Sequence, residues 1–323
     1  MRAKSFLFAL SFSVGAIFAF AQELPRFGSL KLLTNKEAVV QLQGSNTINY
    51  RIDVSSNLFD WQALATLRST GTNQYTDSFA PYLSSRTYRA ATLEGTNILT
   101  GDHLSTPLGP ITLHPINHAS LVLSWNGLTI YCDPTGGATP YKNLARADLI
   151  LITHSHGDHF ETSTINSVTN THVVIMGPQA VFSGLTAAQK TVAKILTNGA
   201  TAAFGDITIE AVPAYNLTNS NHPKGVGNGY ILTLGGRRIY ISGDTEDIPE
   251  TRALTNIDLA FLSVNVPFTM SGAKAVSTVR QFRPGVVYPY HYRNGDGSYT
   301  DLNALKRQVG TDLGIEVRLR PWY

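Results

Sequence analysis

The sequence has almost no cysteine. Cys132 is the single one in 323 residues, so no intrachain disulfide can form and the fold must rest on a packed core and bound ions. It ends an apolar run, Leu128-Thr-Ile-Tyr-Cys132, where a buried, inert thiol is expected. Charge is scarce as well: 15% of residues are charged against 43% hydrophobic, the balance of a core-forming globular chain. Neither sign dominates. Two of the 25 Lys and Arg, Arg2 and Lys4, precede the first apolar run, and the other 23 face 22 Asp and Glu. That near-neutrality offers no basic face for nucleic acid. Long apolar runs are missing except one. Phe6 to Phe18 is mostly apolar, and Ala19-Phe20-Ala21 follows it before Gln22. This is the pattern of a secretory signal peptide over residues 1–21, with an apolar stretch short for a spanning helix. No Cys follows it to take a lipid. The expectation is a periplasmic or secreted protein, without a transmembrane anchor once the signal is cleaved.

What the chain does have is histidine gathered in one place. Residues 153–160 read Thr-His-Ser-His-Gly-Asp-His-Phe. Four metal-ligating side chains, His154, His156, Asp158 and His159, follow the apolar run Asp148-Leu-Ile-Leu-Ile-Thr153, which reads as a buried strand. In extended chain, residues i and i+2 share a face, so His154 and His156 can reach one ion from the strand end. Gly157 permits a sharp turn, after which Asp158 and His159 project towards a second ion. Imidazole and carboxylate suit zinc, and also iron or manganese. Protonated histidines this close would repel one another, and a bound cation gives them a reason to be neutral and together.

Later segments end strands in the same residue types. Arg237-Arg-Ile-Tyr-Ile-Ser-Gly-Asp-Thr245 ends in Asp244, and Val286-Val-Tyr-Pro-Tyr-His-Tyr292 ends in His291. Between them and the octapeptide, the strand Ile207–Ala214 ends in Tyr215-Asn216, with His222 six residues further on in a Gly- and Asn-rich loop. Together these segments resemble the metallo-β-lactamase-fold superfamily, from near Ile111 to the end of the sequence. The stretches Ile116-Asn-His-Ala-Ser120 and Tyr131-Cys-Asp-Pro134 resemble a branch near the ascorbate-phosphate lactonase and N-acyl phosphatidylethanolamine phospholipase D groups. Some antibiotic-hydrolysing members use a late Cys ligand, which this chain lacks.

The resemblance implies two divalent ions, zinc foremost, with Mn or Fe as alternatives. His154, His156 and a third ligand would hold one ion. Asp158, His159 and His291 would hold the other, with Asp244 between them. The family's third ligand is normally a His. Here Asn216 stands at the expected place and His222 lies within reach, so either can serve. Asp158 is the candidate proton acceptor. His118, Asn216, Tyr215 and Tyr292 are candidates for contacts beside the ions or to substrate. The implied activity is a metal-dependent hydrolase in which water bound to metal, its pKa lowered from 15.7 towards about 7, attacks an ester-type bond. That bond is a phosphodiester, a lactone or an amide in a small-molecule or lipid-like substrate. A di-iron oxidoreductase on the same fold and a non-catalytic, metal-containing binding protein are the other readings.

Residues 22–106 read as a small all-β sandwich, an accessory module before a hydrolase domain over 107–323. Short alternating runs start at Glu37, Ile48, Trp61 and Thr87, with turn residues between. The segment Ser55-Ser-Asn-Leu-Phe-Asp-Trp61, with Thr76-Asp77 and Tyr88-Arg89, resembles a fibronectin-like module, implying glycan or cell-surface contact through Trp61, Tyr75 or Tyr82. Residues 101–109 read as a linker with a solvated His103. Beyond Ile111 strands and helices alternate, a mixed α/β pattern. Helices are expected over 161–169, 186–196, 273–282 and 302–309. His114 and His172 read as structural. An αββα sandwich is what the resemblance implies.

Overall fold

The computed structural model describes residues 24–95 and 97–323. The expected signal peptide, residues 1–21, lies outside them. The chain opens with six strands, β1 (Arg26–Leu32), β2 (Ala38–Gln43), β3 (Asn49–Ser55), β4 (Gln62–Arg68), β5 (Thr72–Asp77) and β6 (Thr87–Leu93). One sheet runs β1-β2-β5, and β6-β3-β4 forms the face opposite. Alternation drives the packing: Ala38, Val40 and Leu42 of β2 point inward. Leu42 meets Tyr50, Ile52, Val54, Leu64 and Tyr75 in a small core.

The next segment departs from the expected linker. Residues Gly101–Leu104 form β7, which pairs on one side with β4 at Ala65 and Thr66. On its other side it pairs with β8 (Ile111–Asn117). His103 is buried, not solvated, with Nε2 2.8 Å from Thr66 Oγ1 and Nδ1 3.2 Å from Thr112 Oγ1. Gly101 makes the crossing feasible: at φ +137° its missing Cβ would stand 2.1 Å from the Leu113 carbonyl oxygen. β7 therefore carries the N-terminal sheet into the rest of the molecule without a break.

That rest begins with β8, β9 (Ser120–Trp125), β10 (Leu128–Cys132) and β11 (Ala147–Leu151). It continues with α1 (Thr162–Val168), β12 (Thr169–Gly177), α2 (Gln179–Gly184), α3 (Ala187–Lys190) and β13 (Ala193–Ile195). The sheet reads β13-β12-β11-β10-β9-β8-β7-β4-β3-β6, ten strands in all. A second sheet of seven follows in sequence order: β14 (Thr201–Phe204), β15 (Ile207–Ala214), β16 (Gly227–Leu234), β17 (Arg237–Ile241), β18 (Leu259–Ser263), β19 (Val286–Tyr290) and β20 (Glu316–Val317). Three helices lie on it, α4 (Pro249–Arg252), α5 (Gly272–Phe282) and α6 (Leu302–Val309).

The apolar run at β11 shows why the layers form. Leu149 and Leu151 face the second sheet and join Ile209, Leu232, Ile239 and Phe261. Ile150 and Ile152, one residue out of step, pack on Ile165 and Val168 of α1 and Val181 of α2. A strand covered on both faces needs no polar positions. On the far side, Val276, Val279 and Phe282 of α5 and Leu305 and Val309 of α6 cover Tyr240, Ala260 and Leu262. Each such side chain contributes about 1.5–3 kcal/mol when buried. The architecture is thus the αββα sandwich, with an all-β region ahead of it. The Ser271 and Asp301 side chains cap α5 and α6 by accepting from Lys274 and Ala304 N–H.

The helix expected over 186–196 is cut short at Lys190. Thr186 starts α3 with a capping box, but after Lys190 the chain straightens. Ala193–Ile195 pairs in parallel with Ile175–Gly177 at the sheet edge. Strand pairing overrides the local helix preference of this Ala-, Gln- and Lys-rich stretch. Among the described residues no helix is long and apolar enough to cross a membrane.

Candidate metal centre

The centre forms where the parallel strands β10 and β11 end. Asp133, just past β10 in a left-handed conformation at φ +46°, accepts three hydrogen bonds: from Thr153 N–H (2.7 Å), from the Thr153 hydroxyl (2.7 Å) and from His159 Nδ1 (2.7 Å). A carboxylate only accepts, so His159 donates from Nδ1 and turns Nε2 to the centre. The octapeptide reverses direction as His159 and Phe160 N–H both donate to the His156 carbonyl (3.0 and 2.9 Å). The rings of His154 and His156 come within 4.6 Å, and those of His154 and His159 within 4.1 Å.

The second sheet supplies the rest. Two residues past β17 stands Gly243, whose φ is +58° and whose absent Cβ would lie 2.7 Å from the Asn228 carbonyl oxygen. Glycine lets Asp244 approach the octapeptide this closely. Asp244 Oδ1 stands 3.4 Å from His159 Nε2, while Oδ2 stands 3.3 Å from His222 Nε2 and 3.4 Å from His291 Nε2. His291 follows β19. Asp158 Oδ2 lies 3.4 Å from His291 Nε2, 3.8 Å from His159 Nε2 and 2.9 Å from His118 Nε2.

All seven residues singled out as ligands from the sequence converge here. Three groups, two of them sharing His154, each have ligand atoms within 4.8 Å of one another: His154, His156 and His222; His118, Asp158 and His291; His154, His159 and Asp244. His222 reaches the centre because its loop folds back, Asn216 N–H donating to the His222 carbonyl (2.8 Å). The Asn216 amide donates to Asn219 Oδ1 (2.7 Å) and the Phe268 carbonyl (2.8 Å). His222 groups with His154 and His156.

These groups suit a divalent cation. His154 Nε2, His159 Nε2, Asp244 Oδ1 and both ring nitrogens of His222 and His291 are buried without a hydrogen-bond partner. Buried polar atoms without partners are costly, and the residues that carry these fall in the three groups. Burial, with His159 close by, holds His154 well below the usual imidazole range. Burial, with His222 beside it, lowers His156. Both are thus neutral, with lone pairs to give. Burial alone would raise the Asp244 carboxyl, but His291 and His159 hold it well below the carboxylate range.

Two residues expected at the pocket lie elsewhere. The Tyr215 hydroxyl donates to Glu250 Oε2 (3.0 Å) under the Lys224 ammonium, away from the centre. The Tyr292 hydroxyl accepts from Trp322 N–H (3.1 Å), so this side chain braces the chain end instead of lining the cavity. Of the expected surface aromatics, Tyr75 is buried on Asp102 (2.9 Å) and Tyr82 donates to the Ile315 carbonyl (2.6 Å). Trp61 is half-buried beneath Arg89. His114 is structural, its Nδ1 2.6 Å from the Thr100 carbonyl oxygen. Cys132 is buried, as its setting suggested.

Several contributors carried no role in the sequence reading. Asp133 was visible in the Tyr-Cys-Asp-Pro stretch, and Glu246 two residues past Asp244. Arg293 and Tyr323 carried no signal. Above the centre opens a cavity of about 530 Å³, lined by His118, Asp158 and His291 and, further out, by Asn265, Phe268 and Arg293.

A family model for the beta-lactamase superfamily domain matches residues 112–291. A metal-dependent hydrolase of Thermus thermophilus is 33% identical over 213 residues, covering 62% of this chain and 92% of its own. One of Pyrococcus furiosus is 32% identical over 196 residues, covering 58% and 85%. Among solved structures, a protein of Parabacteroides distasonis assigned as a metal-dependent hydrolase is 40% identical. It covers 69% of this chain and 99% of its own, with a TM-score of 0.60. A metallo hydrolase of Ignicoccus hospitalis, 24% identical, covers 65% and 94% with a TM-score of 0.55 and shares the fold.

Proposed function

Because the chain belongs to the beta-lactamase superfamily and is a metal-dependent hydrolase of the metallo-β-lactamase fold, we propose that it binds two divalent ions, zinc foremost, and cleaves an ester-type bond: a phosphodiester, a lactone or an amide. His154, His156 and His222 would hold one ion. Asp158, His159 and His291 would hold the other, with Asp244 between. The observation that carries this is the set of buried, partnerless ligand atoms on three neighbouring groups. When bound, such ions polarise the scissile group and activate water.

The chain's own residues do the rest. Asp133 fixes which nitrogen of His159 faces inward. Asp158, with its side chain 47% exposed to the cavity, is the carboxylate placed to take a proton from the attacking water at an oxygen. His118 Nε2, 2.9 Å from Asp158 Oδ2, holds that carboxylate in place. Phe268 and the surrounding wall give a small-molecule or lipid-like substrate an apolar contact. The leader-like residues 1–21 support a periplasmic or secreted location, which N-terminal sequencing of the exported protein tests.

The decisive experiment is metal analysis of the purified protein beside hydrolysis of ester, lactone, amide and phosphodiester substrates. Two equivalents of metal per chain are expected, falling towards one in His222→Ala, with turnover abolished in His156→Ala. A protein that takes up no metal, or a His222→Ala variant with full metal and full turnover, would overturn the assignment.

A further inference from the structure

We propose that the substrate carries an anionic group, a carboxylate or a phosphate, and that Arg293 is the residue that reads it. This rests on the hydrolase reading above and narrows its substrate class. The floor of the cavity is committed: His156, His222, His118 and His291 face Asp158 and Asp244. What remains of the wall is amide and apolar, Asn221, Asn265, Asn294 and Phe268, together with one Arg and no Lys. Arg293 is that cation.

Its surroundings differ from those of the arginines that serve structure. Arg252, Arg280, Arg318 and Arg320 each meet a carboxylate, at Asp247, Asp312, Glu316 and Asp102 respectively. No described carboxylate lies within ion-pair distance of Arg293. Its guanidinium carbon lies 5.2 Å from the centre of the Tyr323 ring instead. An aromatic face holds a guanidinium in place without neutralising it or occupying its donors.

The backbone that carries Arg293 is tied down. Arg293 bridges Tyr299 across a hairpin. Gly295 N–H donates to the Val266 carbonyl (2.9 Å), and Asn294 Oδ1 accepts from Val266 N–H (3.0 Å). The hairpin is thereby joined to the segment that carries Asn265 and Phe268. Tyr323 links the cation to the centre, its ring 5.6 Å from that of His118. A planar fork of donors, exposed at the mouth and held there without a counter-ion, matches the oxygens of a carboxylate or phosphate. Such a charge also draws an anionic substrate towards the cavity.

The test uses full-length, zinc-loaded protein and the variants Arg293→Gln and Arg293→Lys. Binding of inorganic phosphate and of succinate is measured separately by calorimetry, with metal content checked in each variant. At unchanged metal content, Arg293→Gln is expected to weaken at least one of the two anions tenfold or more, with Arg293→Lys in between. Which anion responds identifies the group. The second arm compares hydrolysis of 4-nitrophenyl acetate with that of mono-4-nitrophenyl succinate. Wild type should favour the anionic ester, and the preference should collapse in Arg293→Gln and return in part in Arg293→Lys. Equal affinity for both anions in wild type and Arg293→Gln overturns the proposal. If neither ester is turned over, the choice of bond is at fault, and the binding arm still decides the role of Arg293.

Discussion

The Glu246 carboxylate is buried, 3% exposed, and among the described residues no cation pairs with it. It accepts instead from the backbone N–H groups of Leu217 and Thr218 (both 3.0 Å), from the Thr218 hydroxyl and from Asn219 Nδ2 (3.1 Å). Those residues open the loop that returns His222 to the centre. Groups that orient a ligand typically change metal affinity 10–100-fold when lost. Glu246→Ala should therefore weaken metal binding by about that factor, and Glu246→Gln by less, in a chelator competition titration; unchanged affinity in Glu246→Ala would separate the loop from the site. Tyr323 supports a second expectation. His118 Nε2 meets the Asp158 carboxylate and so carries its proton there, which leaves Nδ1 of the neutral ring to accept from the Tyr323 hydroxyl at 2.6 Å. Burial lowers His118 and raises Tyr323, so both keep these forms at neutral pH. Tyr323→Phe should lower kcat about tenfold through the lost orientation while leaving metal content intact. Loss of metal in that variant would instead mark Tyr323 as purely structural. The ligands were legible in the sequence because six positions held four of them. Arg293 and Tyr323 were not, because each acquires its place only when the chain returns from a distant strand.

β7 illustrates why some strands escaped the sequence reading and others did not. β11 announces itself by a run of apolar residues with both faces covered. Gly101-Asp-His-Leu104 has no such run and reads as a loop, yet it pairs on both sides. β1, exposed along its length, and β13, which falls in a stretch that reads as helix, each pair on one side only, at a sheet edge; pairing partners, not side-chain pattern, define them. Burying β7 has a consequence in acid. Burial pushes the His103 imidazole down to about 4, from an ordinary 6.5. With the folded value depressed, the unfolded chain binds the proton first, so stability is full above about pH 6.5 and falls as pH drops towards 4. The shift corresponds to about 3 kcal/mol over that window. Urea unfolding of wild type between pH 7 and pH 4 should show the decline, and His103→Gln should flatten it. An identical slope in the two proteins would assign the acid sensitivity to other groups.

The alternating runs of residues 37–92 pointed to a β-sandwich, while the αββα layering beyond them came from the motifs and not from periodicity, which gave only mixed α and β. Neither disclosed how the two regions join, because the joint is built from polar residues far apart in sequence. Asp102, on β7, is buried and accepts from the Tyr75 hydroxyl of the N-terminal strands (2.9 Å) and from the Tyr288 hydroxyl of β19 (2.6 Å). It also pairs with Arg320 at 2.9 Å. Beside it, Glu316 pairs with Arg318 at 2.8 Å and accepts from the Ser78 hydroxyl at 2.7 Å. Lys306 of α6 pairs with Glu37. A network of buried charges tolerates the loss of no single member, because the partner is left charged and unsolvated. Asp102→Ala strands Arg320 in this way and should cost about 3–5 kcal/mol. Because one sheet runs through both regions, the loss should lower the stability of the whole chain and not of one part. Hydrogen exchange in rising denaturant should show the amides of β3 and β18 losing protection together, in wild type and, at a lower midpoint, in Asp102→Ala. If β3 opened while β18 stayed protected, the N-terminal strands would be an independent module and the continuous sheet only a contact between two folded bodies.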